Sequence, residues 1–114
     1  MPTAAREYVR RTDVGDLDAC IRALDAAVTQ VAALNRDGQV ANCYARVVRD
    51  EVELFDEGLR PAEIAPVTGG RFPFLLVSIT YDPARVDAAS LAAVESTLRL
   101  AVIYEGTTRI NYFN

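Results

Sequence analysis

One stretch constrains the fold of this chain more than any other: Phe72-Pro73-Phe74-Leu75-Leu76-Val77-Ser78-Ile79-Thr80-Tyr81. Ten residues rich in aromatic and β-branched side chains, with a proline only at the start, read as a buried β-strand. Two strands alone make a poor sheet, so the identity of this strand's neighbours decides the fold.

The segments before it read mostly as helix. Asp13 or Asp16 is placed to cap a helix running to about Asn35, with Val14, Leu17, Ile21, Leu24, Val28 and Val31 spaced alternately three and four apart. That spacing makes one apolar stripe, as in a packed helix pair. Asn35-Arg36-Asp37-Gly38 then supplies a stop and a turn. Residues Val40 to Asp56 allow a helix or strands. The helix is preferred, because Val40, Tyr44, Val47, Val48, Val52 and Phe55 recur on one side and charged residues on the other. It would carry ion pairs from Arg46 to Asp50, Arg49 to Glu53 and Asp56 to Arg60, with Gly58 as its stop. Residues 58–71, containing Pro61, Pro66, Gly69 and Gly70, show no clear periodicity and read as a loop.

Beyond the strand, Asp82-Pro83 and Asp87 are alternative caps for a helix to about Glu105, with Leu91, Val94, Leu98, Ala101 and Val102 inward and Glu95 beside Arg99 outward. Gly106 would end it, and Thr107 to Phe113 reads as a second strand. The expected fold is therefore α+β in a single domain, residues 1–114: a helical hairpin plus a βαβ unit on a small sheet. Arg6 to Thr12 reads as a short edge strand. If it and part of Val40 to Phe55 both join the sheet, the order becomes ferredoxin-like βαββαβ; if neither does, a dimer completes the sheet.

Composition narrows the chemistry. All 12 cationic side chains are arginine and histidine is absent, a pattern of GC-rich, bacterial coding that also removes Schiff-base lysines, His-based general bases and the commonest zinc ligand. No metal and no cofactor is expected. The net charge of −4 argues against nucleic acid, and Arg6, Arg10 and Arg11 form only a small basic cluster. No apolar run is long enough for a membrane span or a signal peptide, so a cytoplasmic location follows as the expectation, with Cys20 and Cys43 as reduced, buried thiols. In the helical hairpin they lie on the order of 18 Å apart, beyond disulfide reach.

Gly69-Gly70-Arg71 reads as a turn into the strand rather than a phosphate loop, and Asp50, Glu51, Glu53, Asp56 and Glu57 as a solvated charged face. The candidate ligand site is the carboxyl edge of the strands, where ligands gather in open α/β sheets: Tyr81, Asp82 and Arg85, with Tyr112 near the end of the second strand. Tyr and Arg would orient an anionic or aromatic ligand; in the plainer reading Asp82 only caps and Tyr81 only packs. The functional expectation is a non-catalytic interaction or assembly protein acting as a homo-oligomer, most simply a dimer, with a further protein partner allowed. The alternatives are a small-molecule-binding protein or small enzyme with a Tyr/Arg/Asp-lined pocket, and an immunity- or antitoxin-like inhibitor.

Overall fold

The computed structural model describes residues 4–34 and 40–107. The elements run β1 (Ala4–Arg10), a 3-10 turn (Arg11–Asp13), α1 (Leu17–Leu34), β2 (Val40–Val48), α2 (Glu51–Asp56), α3 (Pro61–Thr68), β3 (Phe74–Tyr81), α4 (Ala88–Leu98) and β4 (Leu100–Gly106). The four strands form one antiparallel sheet in the order β2-β3-β1-β4. β1 and β2 are parallel but separated by β3, and β3 and β4 are parallel but separated by β1. These two split crossovers are the ferredoxin-like βαββαβ arrangement, with α2 and α3 inserted between β2 and β3.

β3 is the strand that its composition implies, and all eight of its residues are buried. Alternate side chains feed two cores. Leu75, Val77, Ile79 and Tyr81 join Tyr8 of β1 beneath α1 and α4, where Ala23, Ala27, Leu91, Val94 and Leu98 close the layer. On the opposite face Phe74 and Leu76 join Val9 and Val48 beneath Leu54, Leu59 and Ile64. Each fully buried Leu, Ile or Val contributes about 1.5–3 kcal/mol, so this strand anchors both layers.

Several expectations are corrected. Val40–Val48 is a strand, paired with β3 from Val40 opposite Tyr81 to Val48 opposite Phe74. Its alternation was obscured because Tyr44 and Arg46, on the face shared with Val48, are polar yet partly covered. Only Glu51–Asp56 is helical, started by Asp50, whose carboxylate accepts from Glu53 N at 2.9 Å, and followed by Gly58 at φ 74°. Of the three expected ion pairs in this region Arg49 to Glu53 forms, at 2.9 Å, while Arg46 turns to Glu53 and Glu57 across the strand-to-helix turn.

Residues 58–71 are not a continuous loop. Pro61 opens α3, Glu63 accepts from Arg60 N at 2.8 Å, and Gly69 in the left-handed region (φ 65°) closes it. Two turns of helix are too short to display a period, so only these end signals betray it. The last helix starts from Asp87, which accepts from Ser90 N at 2.7 Å, and stops at Leu98 because Arg99 turns left-handed (φ 54°). Leu100 to Tyr104 therefore belong to β4, while the strand expected over Thr107 to Phe113 lies, apart from Thr107, outside the described residues.

β1 is an interior strand, not an edge. Cys20 is a buried free thiol donating to Asp13 O. Gly15 N donates to Pro73 O, whereas Cys43 pairs with Ile79 farther along β3.

Candidate functional site

The residues expected at the strand edge are placed apart. Tyr81 is 6% exposed and packs in the core under α1 and α4. Asp82 builds a turn: its Oδ1 accepts from Ala84 N at 2.9 Å, and its carbonyl accepts from Arg85 N and Val86 N. Arg85 stands in solvent, its Nε 3.9 Å from Asp82 Oδ2. Tyr112 lies outside the described residues. The edge also lacks the property that recommended it, because among the described residues no two neighbouring strands are parallel.

Two other polar constellations are assembled by the sheet, each from an Arg and a Tyr two positions apart on one strand, hence on one face. On β1, Arg6 Nη1 lies 2.7 Å from Glu95 Oε2, which also accepts from Tyr8 OH at 2.7 Å; Arg6 Nη2 meets Glu105 Oε1 at 2.8 Å. On β2, Tyr44 OH and Arg46 Nη1 both donate to Glu57 Oε1, the latter at 2.7 Å, and Arg46 Nη2 reaches Glu53 Oε2 at 3.1 Å. Arg10 pairs with Asp13, so two of the three N-terminal arginines have their charge balanced within the fold. These clusters were illegible in the sequence because their partners lie 87 and 89 positions away along the chain for Tyr8 and Arg6.

The electrostatics fix protons rather than mobilise them. Burial, reinforced by the Glu95 carboxylate, pushes the Tyr8 phenol far above its ordinary range. Burial and then Glu57 push Tyr44 up to about 12. Burial, with Asp13 and Asp16 behind it, pushes the Cys20 thiol up to about 11. Hydrogen bonds from the Arg49 side chain and backbone hold Glu53 down at about 2. Phenols and a thiol held protonated at pH 7 serve as neither nucleophiles nor bases.

The pH dependence of stability follows. Tyr44 and Cys20 have folded values above their ordinary 10.0 and 9.0, so their contributions are complete below about pH 9 and are lost as pH rises to about 12. Glu53 is depressed from 4.5, so its contribution is present above that value and lost as pH falls towards 2. Thermal melts are expected to be flat between about pH 5 and 9 and to fall on both sides, with Tyr44→Phe removing part of the alkaline limb. A fall beginning near pH 7 would contradict this arrangement.

The remaining feature is a surface. In α1 the small residues face inward: Cys20 is 0% exposed, Ala27 1% and Ala23 6%. The larger ones face outward: Leu17 is 44% exposed, Ile21 51% and Val28 53%, with Leu24 half-buried beside them. Small side chains let the helix lie close to the sheet, and of the stripe read from the sequence Leu17, Ile21 and Val28 face outward while Val14 and Leu24 are partly buried against the cores. No family model, curated protein or solved structure matches this chain. The α1 stripe is thus the candidate functional site on its own physical terms. Exposed apolar residues scattered singly are ordinary, but a contiguous row on one helix face marks an interaction surface. Val52 and Phe55 of α2 are also exposed, at 70% and 54%.

Proposed function

We propose that this is a non-catalytic interaction protein that acts as a homo-oligomer, with the outward face of α1 as its contact surface. One observation carries the reading: the helix buries alanine and cysteine and presents leucine, isoleucine and valine to water, the reverse of what the fold of an isolated chain favours. The protonation pattern supports it, since the phenols and the thiol named above are held away from neutrality. The net charge of −4 likewise disfavours a polyanionic partner, and Arg6 and Arg10 of the N-terminal basic cluster are paired internally. Among the described residues no helix is long and apolar enough to cross a membrane.

The test is the molar mass in solution. Light scattering behind gel filtration at tens of micromolar is expected to give twice the chain mass. Ile21→Asp, placing a charge on a half-exposed position, is expected to raise the dissociation constant at least about tenfold while leaving the circular dichroism spectrum unchanged. Monomer at every concentration would end the proposal.

A further inference from the structure

We infer that the cleft between the end of β1 and the first half of α1 binds a small organic anion, its carboxylate or phosphate head held by Arg10 and Arg22 and a short aliphatic body lying on alanine methyl groups. The inference does not depend on self-association. At about 100° per residue, this flank of α1 points away from the stripe of Leu17, Ile21 and Val28.

The cleft encloses about 300 Å³, at the small end of the range for ligand pockets, and is lined by Arg10, Asp13, Ala19, Arg22, Ala23 and Ala26. Its floor comes from one helix. Ala19, Ala23 and Ala26 follow one another at spacings of four and three, so their methyl groups share a flank and another molecule is able to approach the helix closely. Arg22, three positions after Ala19 and four before Ala26, shares that flank.

Arg10 reaches the cleft from the end of β1 and is fixed by one edge of its guanidinium. Its Nε lies 2.7 Å from Asp13 Oδ2 and donates to Thr12 Oγ1 at 3.2 Å. Neither of its Nη groups has an acceptor among the described residues, so both remain as donors to a ligand. Asp13 is buried and does not repel an anion here, because its charge is matched by Arg10.

The surplus charge is therefore that of Arg22 and of two further arginines at the rim. Arg10 is the strand partner of Leu100, so Arg11 and Arg99, the residues adjoining this pair, bring their backbones together beside it. Arg11, Arg22 and Arg99 are all exposed, and none takes part in an ion pair among the described residues; Asp25, three positions beyond Arg22, does not pair with it. By contrast Arg6, Arg46 and Arg49 each meet a carboxylate within 3.1 Å. In a chain of net charge −4 this end of the sheet is a local reversal of sign. Guanidinium groups hold carboxylate and phosphate through paired N–H donors, and a few excess charges beside an apolar floor suit a small amphipathic anion rather than a polyanion.

The test is a titration of the isotope-labelled chain followed by its amide resonances at low ionic strength, with butyrate, butyl phosphate and, as the cationic control, butylamine. At least one of the two anions is expected to saturate with a dissociation constant below about 5 mM and to shift the amides of Ala19, Ala23 and Ala26, the tighter of the two naming the preferred head. Arg22→Gln, at an exposed position, is expected to raise that constant at least about fivefold, and Ala26→Leu, also exposed, at least about threefold by filling the floor. Arg60→Gln, an exposed arginine at the start of α3, is expected to change it by less than about 1.5-fold. Failure of both anions to saturate, equal shifts with butylamine, or equal effects of Arg22→Gln and Arg60→Gln would overturn the site.

Discussion

Phe74→Ala is expected to cost about 3–5 kcal/mol of folding stability. Phe74 is fully buried at the start of β3, opposite Val48, in the core closed by Leu54, Leu59 and Ile64. Its ring centroid is 5.7 Å from that of Phe72. Removing the ring opens a cavity between the sheet and the α2–α3 layer, which small helices tethered at both ends can only partly collapse to fill. In a domain whose whole stability is about 5–15 kcal/mol the loss is large, and the melting temperature is expected to drop by roughly 12–30 °C. Half-buried Phe72 is the control: Phe72→Ala is expected to lose less than half as much. The pair of measurements, by urea unfolding followed with circular dichroism, decides whether residues 51–68 are a structural layer. A Phe74→Ala loss under about 1.5 kcal/mol would mean that these residues cover the sheet only loosely.

Glu95→Ala carries the second large effect, about 2–3 kcal/mol. Glu95 Oε2 accepts from both Tyr8 OH and Arg6 Nη1, each at 2.7 Å, and Tyr8 is fully buried. Truncation leaves a buried phenol without its acceptor and half the compensation of a guanidinium that is 18% exposed. Arg6 keeps Glu105, whose side chain is 59% exposed, so Glu105→Ala is expected to stay within about 0.5 kcal/mol. Tyr8→Phe removes the donor as well as the need for the acceptor; the double variant Tyr8→Phe/Glu95→Ala is therefore expected to lose less than the sum of the two single losses. Equal costs for Glu95→Ala and Glu105→Ala in the same urea titration would show that the Tyr8 bond contributes nothing.

What could be read in the chain beforehand was whatever is written locally. β3 announced itself by ten residues of unbroken strand character, and the caps at Asp16 and Asp87 by single side chains, as Ala19 N and Ser90 N donating to them show. β2 did not, because a strand is defined by its neighbour. Val40, Tyr44, Val47 and Val48 satisfy a helical period as well as an alternating one, and only pairing along β3 chooses between them. α4 was extended too far for a related reason: Leu100, Ile103 and Tyr104 widen an apolar helix face equally well on paper, and the left-handed turn at Arg99 has no glycine to signal it. The α1 stripe was legible, but amphipathicity states that a face wants cover and not which surface provides it. The expected cover was a second helix of the same chain, and the first nine residues assigned to that helix, Val40–Val48, are in the sheet.

The interlocked order of the strands also sets when the molecule is able to form. β1 is synthesised first, yet its partners on either side are β3 and β4, which begin at Phe74 and Leu100. No portion of the chain ending before β3 gives β1 a strand to pair with, so Tyr8 and Val9, both fully buried in the folded chain, stay unsheltered until then. Closing such distant segments precedes any reward from pairing them. Pairing on the two sides of β1 therefore waits on β3 and then on β4, and until they arrive the apolar residues of β1 are exposed to aggregation and to chaperones.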